Sequence, residues 1–299
     1  MNTPCLRKFF EMPSEGKARA SIFLSGSGTN ARKILEFWKN NPSECHFEPT
    51  CIVTDRPERC AAQEIAEEFD LPLVAHDIFQ FYKSQGLKNI SLASEEGRQA
   101  REKWTKQLIE KLAQFPSEFG IFAGFIPLCN ITDTLPCLNV HPGDLSVLDQ
   151  NGQRILTGLH TVPVEFAVLA DMESMRTTVI VASAFSDSGA GMDEGTIIGL
   201  SPEVKIDYKE KTADEYQAIY DIRQPKINDE LKVMASDNQE SLKVNGDWIV
   251  FPPAVNDFAK GVFAFDENHQ LVLNTNGKWV PVEYIAYHLN HKEIFFKGE

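Results

Sequence analysis

Asn139 and His141 stand two positions apart at the end of the apolar run in "LPCLNVHPGDLS", residues 135 to 146. A Pro-Gly-Asp turn follows immediately. Alternate residues of a strand point to the same face, so a strand here directs both polar side chains toward one spot. Open α/β sheets bind ligands at the carboxyl edge of such strands. We therefore predict a catalytic pair, with a hydrogen-bonded strand cap as the simpler alternative.

A second candidate is the glycine-rich segment "SGSGTN", residues 25 to 30, between a predicted strand and a predicted helix. Glycine permits a tight turn, and the amides at a helix N-terminus attract anions. The segment is neither a Walker motif, because no lysine follows, nor a full GxGxxG motif, because residue 31 is alanine. Because the segment follows the first strand, one hypothesis is that it binds a phosphate. The alternative is a glycine-rich turn in which a serine or threonine caps the helix.

A third candidate is the loop "SDSGAGMDEGTII", residues 186 to 198, which holds Asp187 and Asp193. Aspartate is common in such loops because its side chain bonds the local backbone. A catalytic aspartate needs a partner, and His141 is the natural one. A carboxylate beside an imidazole stabilises its charged form and selects its tautomer, which makes a usable acid.

The remaining histidines carry less chemical information. His160, in "TGLHT", is a candidate substrate contact near the presumed site. Surface or structural roles are predicted for the others, which are His46, His76, His269, His288 and His291. No pattern in the sequence indicates a metal site.

The elements that must position these residues alternate along the chain. "RASIFLSGSGTNARKILEFWKN" predicts a strand, a turn and a helix, and strands are also predicted at "FEPTCIVT", "LPLVAH", "EFGIFAGFI" and "RTTVIVASAF". Helices are predicted at "RCAAQEIAEEFDL", "EEGRQAREKWTKQLIEKLAQF", "VPVEFAVLADM" and "GDWIVFPPAVNDFAKG". This alternation predicts an α/β fold with a doubly wound, mostly parallel, twisted sheet and helices on both faces. Asn276-Gly277 predicts a β-hairpin near the C-terminus.

Composition limits the classes of function. The 299 residues are 42% hydrophobic and 24% charged, which is ordinary for a globular protein. The net charge of −14 argues against a nucleic-acid partner, which needs clustered lysine and arginine. No apolar run has the length of a membrane span, and the N-terminus lacks a secretion signal. The six cysteines form no CxxC pair, so we expect a cytoplasmic protein with reduced thiols.

Several segments, in the right order, carry a family resemblance. "SGSGTN" is similar to an SGxGSN loop, "AGFIPLC" to AGFMRIL, "NVHPGDLS" to NIHPSLLP, "TGLHT" to PGLHT, and "MDEGTII" to LDGGPVI. The chain therefore resembles the folate-dependent formyltransferases, and within them those that act on glycinamide ribonucleotide. The last motif selects Asp193 over Asp187. "DWIVFPPAVNDFAKG" is similar to the closing helix of the family and places Asp247 at an acidic substrate-binding position.

The resemblance implies transfer of a formyl group from the co-substrate 10-formyltetrahydrofolate to a phosphorylated amine, without a metal. Asn139 and His141 would stabilise the oxyanion, and Asp193 would keep His141 charged and accept the amine proton. The implied substrate-binding residues are Gly26, Ser27, Gly28, Thr29, Asn30 and Asp247. The implied folate-binding residues are Ile126, Pro127, Leu128, Gly191 and Met192.

The chain departs from the family pattern in several places. Pro127 stands where the family usually has arginine, and Ile180 where it has histidine. The family's SLLP becomes Gly-Asp-Leu-Ser at residues 143 to 146, and "VLDQNGQRIL" is inserted after it. Because the catalytic trio is retained, formyl transfer is the expected reaction. The altered surroundings leave the identity of the acceptor amine open.

Alternatives remain at this stage. A formyltetrahydrofolate hydrolase or an amino-sugar-nucleotide formyltransferase would share the trio, whereas a tRNA formyltransferase suits an acidic chain poorly. A non-catalytic folate- or phosphate-binding protein on the same scaffold would not need all three residues. A dinucleotide oxidoreductase would place an acidic residue after the second strand, where Asp55 stands.

The predicted domain organisation follows from the extent of the resemblance. An N-terminal extension covers residues 1–17, and a formyltransferase domain covers 18–262. Its phosphate-binding half is 18–137 and its folate-binding and catalytic half is 138–262. An acidic insertion of low apolar periodicity, partly helical, spans 205–243, and one hypothesis is that it covers the acceptor site. A β extension occupies 263–299.

Overall fold

The computed structural model describes residues 6–184, 191–224 and 228–297. Its strands are β1 (Arg7–Lys8), β2 (Ala18–Phe23), β3 (Phe47–Thr54), β4 (Leu73–Ala75), β5 (Phe119–Phe122), β6 (Cys137–His141), β7 (Ser174–Met175), β8 (Thr178–Val181), β9 (Thr196–Leu200), β10 (Val204–Lys205), β11 (Phe263–Phe265), β12 (Leu271–Thr275), β13 (Lys278–Tyr287) and β14 (Lys292–Phe296). Its α-helices are α1 (Thr29–Asn40), α2 (Ala62–Glu68), α3 (Ile78–Ser84), α4 (Glu95–Leu112), α5 (Val162–Leu169), α6 (Ala213–Asp221), α7 (Glu230–Leu242) and α8 (Trp248–Ala259).

The chain divides into two compact units that are each built from three stretches of sequence. The first unit comprises Met1–Asn139, Val181–Thr196 and Val255–Pro281. The second comprises Val140–Ile180, Ile197–Ala254 and Val282–Glu299.

A parallel sheet forms the centre of the first unit. β2 pairs with both β3 and β5, β3 continues to β4, and β5 continues to β6, all in parallel. The first strand of the set therefore lies in the middle, which is the doubly wound arrangement. All four residues of β5 are buried, as expected for a parallel strand covered on both faces. The predicted α/β class with a mostly parallel sheet is confirmed.

Aromatic side chains fill much of the core beside this sheet. Phe23, Phe122 and Phe125 pack together, and Trp104 stacks on His76 with ring centroids 5.4 Å apart. Trp104 comes from α4, whose apolar residues recur at helical spacing and face this core. The helix predicted over this segment is therefore confirmed.

The segment predicted as an N-terminal extension packs against other residues of the first unit. β1 pairs antiparallel with β11, Arg7 opposite Phe265. Phe9 and Phe10 both pack against Phe258. Sequence inspection could not foresee this pairing, because its two strands lie at opposite ends of the chain.

The predicted hairpin at Asn276-Gly277 is confirmed. β12 and β13 are antiparallel, with Thr275 opposite Lys278. Both turn residues have positive φ, 53° for Asn276 and 83° for Gly277. This backbone suits a two-residue hairpin, and asparagine followed by glycine adopts it readily.

The second unit contains two sets of strands and its own core. β9 runs parallel to β13, β13 pairs antiparallel with β14, and β7 pairs antiparallel with β10. The core combines apolar residues of α5, α6 and α7. Along α7 the buried residues include Leu231, Met234, Ala235 and Leu242. The partial helicity predicted for the acidic insertion is therefore confirmed, whereas the prediction of low apolar periodicity is wrong for α7.

α8 continues from α7 through a π-helical segment, Lys243–Asp247. Pro252 and Pro253 lie inside α8, not in its first turn. Among the described residues, no helix has both the length and the apolar character that crossing a bilayer requires. The five cysteines in the described part of the chain are all unpaired thiols.

Candidate active site

The glycine-rich loop joins β2 to α1. Gly28 precedes the helix with φ 68°, a left-handed backbone, and a Cβ there would lie 2.3 Å from Cδ1 of Ile65. The left-handed backbone therefore favours glycine, and any side chain here would also displace the terminal methyl group of Ile65. Thr29 and Asn30 begin the helix, Ser27 is exposed, and Gly26 is half-buried with open space around its Cα. No side chain caps the helix and its first turn holds no acidic residue, which suits an anion.

A buried hydrogen-bond network ties this loop to its neighbours in the first unit. The Ser25 hydroxyl donates to Oδ1 of Asp55 at 2.5 Å and accepts from the amide of Ile126 at 3.0 Å. These residues follow β2, β3 and β5, so three adjacent strand ends are held together. Asp55 is fully buried, and burial raises the pKa of its carboxyl. A carboxylate enclosed in this way is poorly placed to bind a ribose, which argues against the dinucleotide hypothesis.

The predicted folate segment is held by an arginine that sequence inspection missed. Arg101 is 6% exposed and donates to the carbonyl of Leu128 at 2.5 Å, the carbonyl of Ile90 at 2.9 Å and the hydroxyl of Tyr82 at 3.1 Å. The signal was available, because Arg101 lies three residues before Trp104 on the buried stripe of α4. A buried guanidinium needs acceptors, and loop carbonyls supply them here.

Within that segment the side chains differ in exposure. Pro127 is buried, whereas Ile126 and Leu128 are half-buried. The segment follows β5, at the same edge of the parallel sheet as the glycine-rich loop. An apolar segment with its backbone fixed by Ser25 and Arg101 is suited to contact a flat heterocycle.

Asn139 and His141 both lie on β6, as predicted. Asn139 is half-buried and pairs with Phe122 of β5. His141, the last residue of the strand, is 2% exposed. Its Nε2 lies 2.7 Å from the carbonyl oxygen of Leu156. A carbonyl only accepts, so Nε2 carries the proton of this bond.

The turn after His141 gives a reason for glycine at position 143. A Cβ on Gly143 would lie 2.8 Å from the Leu156 carbonyl oxygen and 3.1 Å from Nε2 of His141. The hydroxyl of Thr178 donates to the Gly143 carbonyl at 2.6 Å and accepts from the amide of Leu145 at 3.0 Å. A residue without a side chain is therefore required where the inserted segment approaches the imidazole.

Asp193 lies in the first unit, in the short 3-10 turn Met192–Glu194 that precedes β9. Its side chain is half-buried, and the amide of Glu194 donates to the carbonyl of Gly191 at 3.1 Å. Gly191 has open space around its Cα. The competing candidate, Asp187, lies outside the described residues.

Asp247 is buried at the end of the π-helical segment in the second unit. The hydroxyl of Thr177 donates to its Oδ1 at 2.7 Å. His160 is exposed with a positive φ of 57°, and its carbonyl accepts from Gln239 at 3.0 Å. The two residues are therefore held differently, Asp247 through its carboxylate and His160 through its backbone.

Comparison of the coordinates with solved structures gives matches along most of the chain. A glycinamide ribonucleotide transformylase from Symbiobacterium toebii is 19% identical, with a TM-score of 0.56 over 87% of this chain and 95% of that chain. A phosphoribosylglycinamide formyltransferase from Coxiella burnetii is 16% identical, with a TM-score of 0.56 over 91% and 100%. The chain has the formyltransferase fold.

The same fold also hosts a different reaction. A formyltetrahydrofolate deformylase from Pseudomonas syringae is 11% identical, with a TM-score of 0.55 over 90% of this chain and 66% of that chain. No family model matches the sequence, and no curated protein matches it. The formyltransferase fold is thus established by the coordinates, and the reaction must be argued from the residues of this chain.

Proposed function

We propose that this protein transfers a formyl group from 10-formyltetrahydrofolate to the amine of a phosphorylated small molecule. The observation that carries the proposal is the burial and fixed orientation of the His141 imidazole at the carboxyl end of β6, in a chain with the formyltransferase fold. The imidazole is buried, and its Nε2–H is held by the Leu156 carbonyl. This bond fixes the orientation of the ring at the strand end.

Asn139 and His141 would act on the charge that develops during the reaction. 10-Formyltetrahydrofolate supplies the formyl carbon, and attack by the amine turns its carbonyl oxygen into an oxyanion. The amide of Asn139 and the charged imidazole of His141 would donate hydrogen bonds to that oxygen. Donors of this kind are each typically worth about 10²–10³ in rate.

Asp193 would stabilise the charged imidazole and accept the proton that the amine loses, through a water molecule. The new N–C bond forms first and gives the tetrahedral intermediate. When this intermediate collapses, the bond from the formyl carbon to the folate nitrogen breaks, and that nitrogen takes up a proton in place of the one that the amine lost. Proton transfer by a positioned side chain typically contributes roughly 10²–10⁴ in rate.

The binding roles are proposed from the family resemblance, and the geometry of the first unit supports those of the glycine-rich loop and of the folate segment. The amides of Gly28, Thr29 and Asn30, at the uncapped start of α1, are suited to hold a phosphate. Gly26 and Ser27 would line the same loop. The half-buried side chains of Ile126 and Leu128 would contact the folate ring, together with Pro127 and the backbone of Gly191 and Met192. Asp247 is proposed as the acidic substrate-binding residue.

Glycinamide ribonucleotide, the purine-pathway acceptor, is the first amine to test. The assay follows the absorbance change on deformylation of a stable 10-formylfolate analogue, with and without this nucleotide. Turnover that requires the nucleotide supports the transferase. Turnover without an amine would indicate the hydrolase, with water as acceptor. Analogue binding without turnover would direct the search to other acceptors, such as amino-sugar nucleotides.

Three variants test the catalytic assignment. Asn139→Ala and His141→Ala should each lower kcat by about 10²–10³. Asp193→Asn should lower it by about 10²–10⁴. The matched control is His269→Asn, which removes an exposed imidazole in a separate turn while keeping a residue that tolerates its positive φ. If all three variants fold and turn over like the control, the proposal is wrong.

A further inference from the structure

The turn between β13 and β14 brings two histidines face to face. Tyr287 pairs with Lys292, and the amide of His288 donates to the carbonyl of His291 at 2.9 Å. His288 and His291 therefore stand opposite each other, with only Leu289 and Asn290 between them. Their imidazole rings stack, with centroids 4.4 Å apart and an interplanar angle of 9°.

A carboxylate completes the group. Glu293 lies in β14, two residues beyond His291, which immediately precedes that strand. Alternate residues of an extended chain share a face. Its Oε1 lies 3.5 Å from Nε2 of His291. The residue opposite Glu293 on β13 is Ala286. One ligand atom from each of His288, His291 and Glu293 lies within 4.8 Å of the others. Among the described residues, this is the place where three such side chains come this close together.

We propose that His288, His291 and Glu293 form a binding site for a divalent transition-metal ion of the zinc type. Two imidazole nitrogens and one carboxylate oxygen match the donors that zinc accepts, and a water molecule can complete the tetrahedron. Magnesium and calcium prefer sites built from oxygen alone, so they should bind poorly here. The proposal differs from the expectation from sequence, which gave these two histidines surface or structural roles.

Zinc binding requires the side chains to rearrange. The two imidazole planes are nearly parallel, so their nitrogen lone pairs do not converge on one point, and the rings must unstack before both can bind one ion. Zinc binds nitrogen and oxygen at about 2.0–2.2 Å, which places tetrahedral ligand atoms about 3.4 Å apart. The β13–β14 ladder holds the backbone, so this rearrangement falls to the side chains, of which those of His291 and Glu293 are exposed. Leu289, at the tip of the turn, is 80% exposed, and the site is open to solution.

None of these residues belongs to the proposed catalytic machinery, so the site stands whether or not the proposed reaction does. The direct test uses the untagged full-length protein after chelator treatment. Zinc is titrated calorimetrically, and cobalt(II) absorption reports the coordination geometry. We expect one ion per chain, unaffected by excess magnesium, and a rise in Tm on zinc addition because the ion binds the folded hairpin.

His288→Ala, His291→Ala and Glu293→Gln should each weaken zinc binding at least about tenfold. His269→Asn, which removes an exposed histidine elsewhere, should leave it unchanged. Circular dichroism checks that each variant is folded, and Glu293→Gln, a conservative change at an exposed position, serves as the second variant if a histidine replacement does not fold. Absence of stoichiometric binding, or equal affinity in the hairpin variants and the wild type, would overturn the proposal.

Discussion

The imidazole of His141 and the backbone carbonyl of Leu156 are joined by a hydrogen bond of 2.7 Å. Leu156 ends the segment that departs from the family pattern by insertion, so the insertion supplies a contact to the residue at the centre of the proposed chemistry. Gly143 makes this approach possible, because any side chain there would contact both groups.

Gly143→Ala should therefore displace the imidazole of His141 while leaving the His141 residue itself unchanged. The added Cβ would stand 2.8 Å from the Leu156 carbonyl oxygen, so the carbonyl or the imidazole must move. A misplaced catalytic group can reduce rate by about 10². We expect a kcat reduced by at least about tenfold, with a smaller effect on the KM for folate. Gln150→Ala, an exposed change in the same insertion, is the control, and equal kcat values for the two variants would contradict the argument.

The glycine-rich loop offers a matched pair of substitutions. Gly28→Ala meets both a positive φ and the side chain of Ile65, so it should destabilise the fold by about 2 kcal/mol. Gly26→Ala meets open space and should change the free energy of unfolding by less than about 0.5 kcal/mol. Urea unfolding measures both. In steady-state kinetics, Gly28→Ala should also raise the KM for the phosphorylated acceptor more than the KM for folate.

Arg101 connects stability with the proposed folate segment. Arg101→Met leaves three acceptors without their donor and should lower the free energy of unfolding by about 3 kcal/mol. Because Leu128 loses its anchor, the KM for the folate analogue should rise. Lys103→Met replaces an exposed cation on the same helix and should change neither quantity. If Arg101→Met also behaves like the wild type, the loop is held by other contacts.

Asp55 predicts a pH dependence of stability. Burial raises the pKa of its carboxyl, so the folded state binds the proton more tightly than the unfolded chain. The free energy of unfolding therefore increases as the pH falls through the raised pKa of the folded state. Above that pKa the buried carboxyl is charged, and the protein is less stable. Asp55→Asn removes this dependence.

The measurement is urea unfolding of wild type and Asp55→Asn at about pH 7.5 and about pH 5. The free energy of unfolding of the wild type should rise relative to that of the variant at the lower pH. A difference that stays constant with pH would show that the carboxyl keeps an ordinary pKa. Ser25→Ala, which removes the hydroxyl bonded to Asp55, should shift the wild-type profile further to high pH because that bond favours the charged form.

The sequence by itself determined the features that depend on local pattern. Buried parallel strands are apolar throughout, a helix start needs glycine at a left-handed position, and Asn276-Gly277 fits one type of turn. These preferences act over a few residues, so the sheet, the glycine-rich loop and the hairpin were predictable. The position of Asn139 and His141 at a strand end was predictable for the same reason.

Only the tertiary structure decided which distant groups meet. Arg101 contacts the carbonyl of Leu128, His141 contacts that of Leu156, and Arg7 pairs with Phe265. Backbone carbonyls and amides are the same at every residue, so no side-chain pattern marks which of them a buried donor will reach. Those partners are selected by the packing of the whole chain, which brings together groups that the sequence holds far apart.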